Sequence, residues 1–279
     1  MELSLAIKKA VRTYKAIETD GMTLYPIPVS RWDEFMLARP ALELMQQTLP
    51  VKYISMPLLS AYYAMDYEAV IGDGDGLPTG LFARSLLLLS LALRLGRADE
   101  DAEQALERFR LRVDENDPST LAAVGFSQDG ETMQSITPVQ FSRLREIIAA
   151  QNGVELVSAD ANPELVEAER DLAEQKGAKL SGDFGELFCT VAALSHEDET
   201  TIMEWPIKKL MDRKNAYARV LGYLLCGVSE ANGAKWKGGN PYPSPFFSRM
   251  QQGGGALIAL DRFAGGAGAK AVAEQQAKG

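Results

Sequence analysis

His196 is the residue best suited to acid–base or metal chemistry, because it is the only histidine in the chain. It lies in SHEDE, residues 195–199, next to carboxylates that can bind a divalent metal together with an imidazole. The alternative is that these acids cap the following helix, whose N-terminus carries positive partial charge. We favour capping and expect no catalytic residue and no metal site, although a metal-dependent enzyme centred on His196 stays a weak alternative.

Two glycine-rich segments resemble ligand-binding loops without completing their patterns. GDGDG, residues 72–76, lacks the remaining ligand positions and the closing glutamate of a calcium-binding EF-hand loop. GAKWKGG, residues 233–239, lacks the G-x-x-x-x-G-K-[ST] pattern of a phosphate-binding loop, and no hydrophobic strand leads into it. The sequence therefore predicts no cofactor.

The stretch GAKWKGGNPYPSPFFSRM, residues 233–250, has no acidic residue, and it combines three basic side chains with the aromatic side chains of Trp236, Tyr242, Phe246 and Phe247. Aromatic rings next to lysines can stack on bases. However, the net charge of the chain is −9, which gives a weak electrostatic attraction to phosphates. We expect an extended strap that folds back across the C-terminal helices, with no nucleic-acid binding.

Composition indicates a soluble globular protein without a membrane segment. Of its 279 residues, 46% are hydrophobic and 24% are charged. The longest apolar segment, residues 80–96, contains Arg84 and Arg94 and is shorter than the roughly 20 residues needed to span a bilayer. The two cysteines, Cys189 and Cys226, lie in apolar helical patterns, so we expect buried thiols in a reducing, cytoplasmic compartment.

The N-terminal part is predicted to be mostly helical. Ser30 with Asp33 fits a capping box at the start of a helix, and Pro40 is expected to kink or split that helix. Another helix is expected after Pro50, over residues 51–69, followed by a loop and a leucine-rich helix. Residues 23–29, TLYPIPV, are expected to be extended, because a residue that precedes proline avoids the α region.

A small antiparallel β-meander is predicted at about residues 108–136. RFRLRV alternates as a half-buried strand does, TLAAVGFS is a second strand, and TMQSI a third, with turn residues between them. Thr137 and Pro138 then mark the start of the clearest helix, which ends at Asn152 and Gly153. Its apolar face is expected to pack on the meander.

Helical patterns continue in the C-terminal part. Three amphipathic segments between residues 182 and 232 have matching apolar faces, and the last of them aligns Tyr217, Leu221, Leu224 and Val228. The predicted fold is therefore mainly α with a small antiparallel β-meander, an α+β fold, ending in a helical bundle. The predicted domains are residues 1–153 and 154–250, followed by a flexible Gly/Ala-rich tail, residues 251–279.

Several segments together resemble a known family. They are LYPIPVSRWDEFMLARPALELMQQTLPVKYISMPLLSAYYAMD, ITPVQFSRLREIIAAQNG, NPELVEAERDLAEQK, FGELFCTVAALS and EWPIKKLMDRKNAYARVLGYLLCGVSEANGAKWKGGNPYPSPFF. In this order they are similar to prophage proteins of Gram-positive gut bacteria that are encoded among tail genes. The likeness covers most of residues 20–250, and these proteins resemble tail assembly chaperones encoded near the tape-measure gene.

The resemblance implies an acidic, largely helical protein of the bacterial cytoplasm that binds the tape-measure protein or another tail component without catalysis. Helix-in-groove binding needs an exposed apolar surface. The candidate partner-binding residues are Trp236, Tyr242, Phe246, Phe247, Tyr217, Leu221 and Leu224, and the leucine-rich helix at residues 86–93 is a further candidate; either helical stripe can equally be core. The alternative is a structural virion protein of the tail or head–tail joint, a homo-oligomer that forms a ring.

Overall fold

The computed structural model describes residues 3–72, 79–95, 106–128, 130–157, 183–236 and 239–246, with isolated positions between 162 and 168. The chain divides into two compact units. The first is Met1–Ala159 with Asp183–Lys214, and the second is Asp160–Gly182 with Asn215–Gly279. In this division Asp183–Lys214 belongs to the first unit. The sequence predicted instead that the first domain ends at residue 153 and that residues 154–250 form the second.

The described residues form helices and short antiparallel strands, in the order α1 (Leu5–Arg12), β1 (Ile17–Thr19), β2 (Met22–Leu24), α2 (Trp32–Ala38), α3 (Pro40–Glu43), α4 (Val51–Ile54), α5 (Leu58–Ile71), α6 (Leu81–Leu93), β3 (Arg110–Val113), β4 (Leu121–Phe126), β5 (Gln134–Ile136), α7 (Pro138–Asn152), α8 (Phe184–Ser195), α9 (Glu199–Met203) and α10 (Ile207–Ala231). The predicted fold class, mainly α with a small antiparallel meander and C-terminal helices, is confirmed. None of the helices formed by the described residues is long and apolar enough to cross a membrane.

A β-hairpin near the N-terminus was not predicted. Strands β1 and β2 pair in antiparallel register, with Thr19 opposite Met22, so Asp20 and Gly21 form a two-residue turn. Both turn residues have positive φ, +50° for Asp20 and +76° for Gly21. This is the conformation that makes Asp-Gly a common hairpin turn, and the dipeptide was the signal that could have identified the hairpin.

The predicted helix start at Ser30 is wrong. Residues 29–31 form a 3₁₀ turn, α2 begins at Trp32, and the Ser30 side chain makes no capping hydrogen bond. The cause is a tertiary contact: the Val29 amide donates to the Trp205 carbonyl at 2.8 Å and fixes the chain just before the turn. The prediction for Pro40 is confirmed, because α2 ends at Ala38 and Pro40 is the first residue of α3.

The helix predicted over residues 51–69 is interrupted. α4 ends at Ile54, and α5 begins at Leu58, directly after Pro57. A proline inside a helix cannot donate a backbone hydrogen bond and its ring clashes with the preceding turn, so the chain breaks there. The leucine-rich helix α6 forms as expected, and its leucines between residues 86 and 93 are buried, which identifies them as core.

The β-meander is confirmed, with strand order β3–β4–β5 and both pairings antiparallel. The expected half-burial of the first strand is wrong. Arg110, Leu111 and Arg112 are all exposed, whereas Phe109, just before the strand, is buried. β3 is an edge strand, and charged side chains on an edge strand discourage pairing with other chains.

Helix α7 is the best-predicted element. The Thr137 hydroxyl accepts a hydrogen bond from the Gln140 amide while the Gln140 side chain accepts one from the Thr137 amide, and Gly153 ends the helix at φ +72°. The apolar face of α7, formed by Phe141, Leu144 and Ile148, is fully buried. It packs against α5 and against β4, so the expected contact with the meander is present.

Two amide side chains, the buried Asn152 and the half-buried Gln128, connect distant segments of the first unit. Asn152, at the end of α7, accepts a hydrogen bond from the Ile27 amide at 3.0 Å and donates to the Ile148 carbonyl at 2.8 Å. Gln128 donates to the carbonyls of Thr23 and Leu93, both at 3.0 Å. They satisfy the Ile27 amide in the extended segment after β2, the Thr23 carbonyl in β2 and the Leu93 carbonyl at the end of α6. A buried backbone group left unpaired is costly.

Two extended segments cross near Pro28 and Pro206. These two prolines form an isolated antiparallel bridge, flanked by the Val29–Trp205 hydrogen bond and by a bond from the Ile207 amide to the Ile27 carbonyl at 2.9 Å. The crossing ties the start of the first unit to its last segment.

Candidate protein-binding surface

The second unit presents a wide apolar surface on α10. Within residues 220–228, VLGYLLCGV, six large apolar side chains are each 38–69% exposed: Val220, Leu221, Tyr223, Leu224, Leu225 and Val228. At 100° per residue these positions cover about 200° of the helix circumference. Cys226, on the remaining side, is buried. We call these six residues the α10 apolar surface.

The α10 apolar surface includes two of the residues that the sequence singled out. Leu221 and Leu224 are exposed, and the partly buried Tyr217 lies on the same side of the helix. The sequence missed Leu225 as a site residue, although it is the most exposed member. A helix whose apolar residues extend well beyond one stripe was the available signal, because a surface helix normally has an apolar band of about 100°.

The predicted aromatic strap is described at residues 233–236 and 239–246. Tyr242 folds back on α10 as expected, since a Cβ added at Gly222 would lie 2.9 Å from Cγ and Cδ2 of its ring. The side chain of Phe246 does not fold back on α10, since it is 78% exposed, and the side chain of Trp236 is also exposed. Phe247 lies outside the described residues.

The contact between Tyr242 and Gly222 predicts different outcomes for two glycine substitutions. We expect Gly227→Ala to stabilise α10 by about 0.5–1 kcal/mol, because alanine favours a helix and nothing lies within 4 Å of the added methyl. Gly222→Ala should displace the Tyr242 ring and increase hydrogen exchange in residues 239–246. Equal exchange of this segment in the two variants would show that Tyr242 does not rest on Gly222.

No family model matches this chain. No curated protein and no solved structure is detectably similar to it.

His196 occupies a structural position. It is the C-cap of α8, with φ +55°, and its side chain is exposed. Asp198 caps α9 by accepting a hydrogen bond from the Thr200 amide at 2.8 Å, and the hydroxyl of Thr200 also lowers the pKa of this carboxyl group. The capping interpretation of SHEDE is confirmed. Across the described residues, no three His, Cys, Asp or Glu side chains are grouped to hold a metal ion.

The cysteines differ from each other. Cys226 is buried on α10, as predicted, but the prediction is wrong for Cys189, which is exposed on α8. The apolar stripe of α8 buries Phe188 and Val191, and Cys189 lies one residue off this stripe. The apolar residues next to Cys189 in sequence therefore do not indicate whether its side chain is buried.

A small cavity lies in the first unit, next to α6. Its volume is about 220 Å³, and it is lined by Ser30, Arg31, Arg94 and Glu204 above Leu91 and Leu95. The Arg31 Nε already contacts Glu34 Oε1 at 2.6 Å, and the Arg94 guanidinium lies 4.4 Å from the centroid of the Tyr25 ring. Small-molecule sites typically measure 300–1,000 Å³ and are mostly apolar, so this cavity is a weaker candidate than the α10 apolar surface.

Proposed function

We propose that this protein is a phage tail assembly chaperone, a binding protein without catalysis that acts in the cytoplasm of the bacterial host. Its partner is the tape-measure protein or another tail component. The observation that carries the proposal is the α10 apolar surface, six large apolar side chains exposed within nine residues. The resemblance of the sequence to tail assembly chaperones supports the choice of partner.

The chemistry of the surface favours a helical, apolar partner. Large exposed apolar patches mark sites of association, because removing apolar area from water is favourable by about 25 cal/mol per Å². A helix that docks on another presents anchors at i, i+3, i+4 and i+7, which match a band of leucines and valines. Since the band covers about 200°, more than one partner helix can contact it.

The proposal predicts that charge on the α10 apolar surface abolishes partner binding. Leu224→Asp with Leu225→Asp should reduce co-purification of a co-expressed tape-measure protein at least about tenfold, because burying two unpaired carboxylates is costly. The fold should remain, since both side chains are exposed. Circular dichroism and unfolding of the purified variant check this.

Asn215→Asp with Ala218→Asp is the matched control. It adds the same two charges to exposed positions of α10 outside the apolar surface. Equal binding by both double variants would remove α10 from the binding site, and a tape-measure protein that stays insoluble with the wild-type chain would overturn the chaperone proposal. A ring-sized mass in light scattering, lost in Leu224→Asp with Leu225→Asp, would instead indicate a self-assembling structural protein.

A further inference from the structure

We propose that in the free protein the segment ALIALDRFA, residues 256–264 of the same chain, docks on the α10 apolar surface and is displaced when a partner binds. This inference concerns the regulation of that surface, and it rests on the proposed function only for what the partner is. The segment lies outside the described residues. Its sequence and its attachment point carry the inference.

The attachment point is beside the surface. Tyr242 rests against Gly222, which lies within the stretch that forms the α10 apolar surface. From Tyr242 to residue 256 there are 14 residues, enough to span at most about 46–50 Å. The surface extends over residues 220–228, about 12 Å along the helix axis at 1.5 Å per residue. The segment can therefore reach either end of it.

The chemistry of the segment matches the surface. Leu257, Leu260 and Phe263 follow one another at intervals of three residues, which places them on one side if the segment is helical when docked. Arg262 is then on the opposite side, and Asp261 lies at the edge of the apolar side, about 40° from Leu257. Glycines at residues 253–255 and 265–266 bound the segment, a composition typical of linkers. It is a short apolar ligand between two spacers.

The linker between α10 and the segment determines how much of the time the segment covers the surface. A ligand on a short linker has an effective concentration on the order of millimolar at its site. A segment that binds in isolation with a Kd near 1 mM therefore covers the surface about half of the time. A partner with micromolar affinity then loses only about a factor of two, so the segment reduces unspecific association without preventing assembly.

Hydrogen exchange of residues 218–228 in the full-length chain tests the inference without any partner. We expect Leu257→Asp with Leu260→Asp to increase exchange there about twofold, because a segment that covers α10 half of the time slows its exchange by at most that factor. Ala269→Asp with Val272→Asp, the matched control, adds the same charges to the tail outside the segment and should leave exchange as in the wild type. A synthetic peptide of residues 254–266 should restore protection to the Leu257→Asp, Leu260→Asp variant.

Unchanged exchange in the Leu257→Asp, Leu260→Asp variant would overturn the inference. Protection that falls when the wild-type protein is diluted would also overturn it, because it would indicate a second copy of the chain on the surface. Either result leaves the chaperone proposal standing, because partner binding is measured separately. Conversely, the exchange result holds even if the tape-measure protein does not bind.

Discussion

Replacing Phe141 with alanine should lower the free energy of unfolding by about 3–5 kcal/mol. The side chain is fully buried on α7, the helix that packs against both α5 and β4. Deleting its ring removes buried apolar contacts and leaves a cavity that the close-packed interior refills only in part. Urea unfolding monitored by circular dichroism measures the change.

Val139→Ala is the control for this substitution, since it shortens a side chain of the same helix that is 71% exposed. Its effect should stay within about 0.5 kcal/mol. Similar losses for Val139→Ala and Phe141→Ala would mean that α7 does not bury the face described here.

Arg145→Met should cost about 2–4 kcal/mol, because it leaves two partly buried carbonyl oxygens without their donors. Arg145 donates from Nε and Nη2 to the Leu42 carbonyl, and from Nη2 to the Leu44 carbonyl at 2.8 Å. These carbonyls lie at the end of α3 and just beyond it, where helical donors are lacking. Burial lowers the pKa of Arg145, because removing its positive charge from water is unfavourable. The hydrogen bonds to the two carbonyls offset this cost. Methionine retains most of the apolar stem and removes only the guanidinium.

Arg143→Met, two residues earlier on α7, is the matched control. Arg143 is exposed and makes a 3.5 Å contact with Asp20, so its loss should cost less than about 1 kcal/mol. Arg145→Lys should recover only part of the stability, because an ammonium group cannot reproduce the fork of donors. An Arg145→Met variant as stable as Arg143→Met would show that water satisfies both carbonyls.

Elements determined by local rules were predictable. The N-cap at Thr137, the break at Pro40 and the three-stranded meander depend on neighbours in sequence, and all three are present. Ser30 fits a capping box equally well, yet the contact between Val29 and Trp205 prevails there. A hydrogen bond between residues 176 positions apart leaves no local signal.

The candidate site was predictable only in part, for a related reason. The sequence aligned Leu221 and Leu224 on one helix face, but alignment alone does not distinguish a face that packs in the core from one that stays exposed. That difference depends on which other elements are available to cover the helix. The same argument applies to Cys189, whose exposure depends on the orientation of α8 and not on its apolar neighbours.

The crossing of the two extended segments near Pro28 and Pro206 limits how early during translation the first unit can complete its folding. Residues 27–29 acquire their backbone partners only after residue 207 has been synthesised. At 5–20 residues per second, translation of the intervening segment takes roughly 10–35 s. During this time the early helices and the hairpin can form, but the amide of Val29 stays without its native acceptor. The crossing is therefore a late, long-range closure, and the first unit completes its folding only when the beginning of α10 has left the exit tunnel.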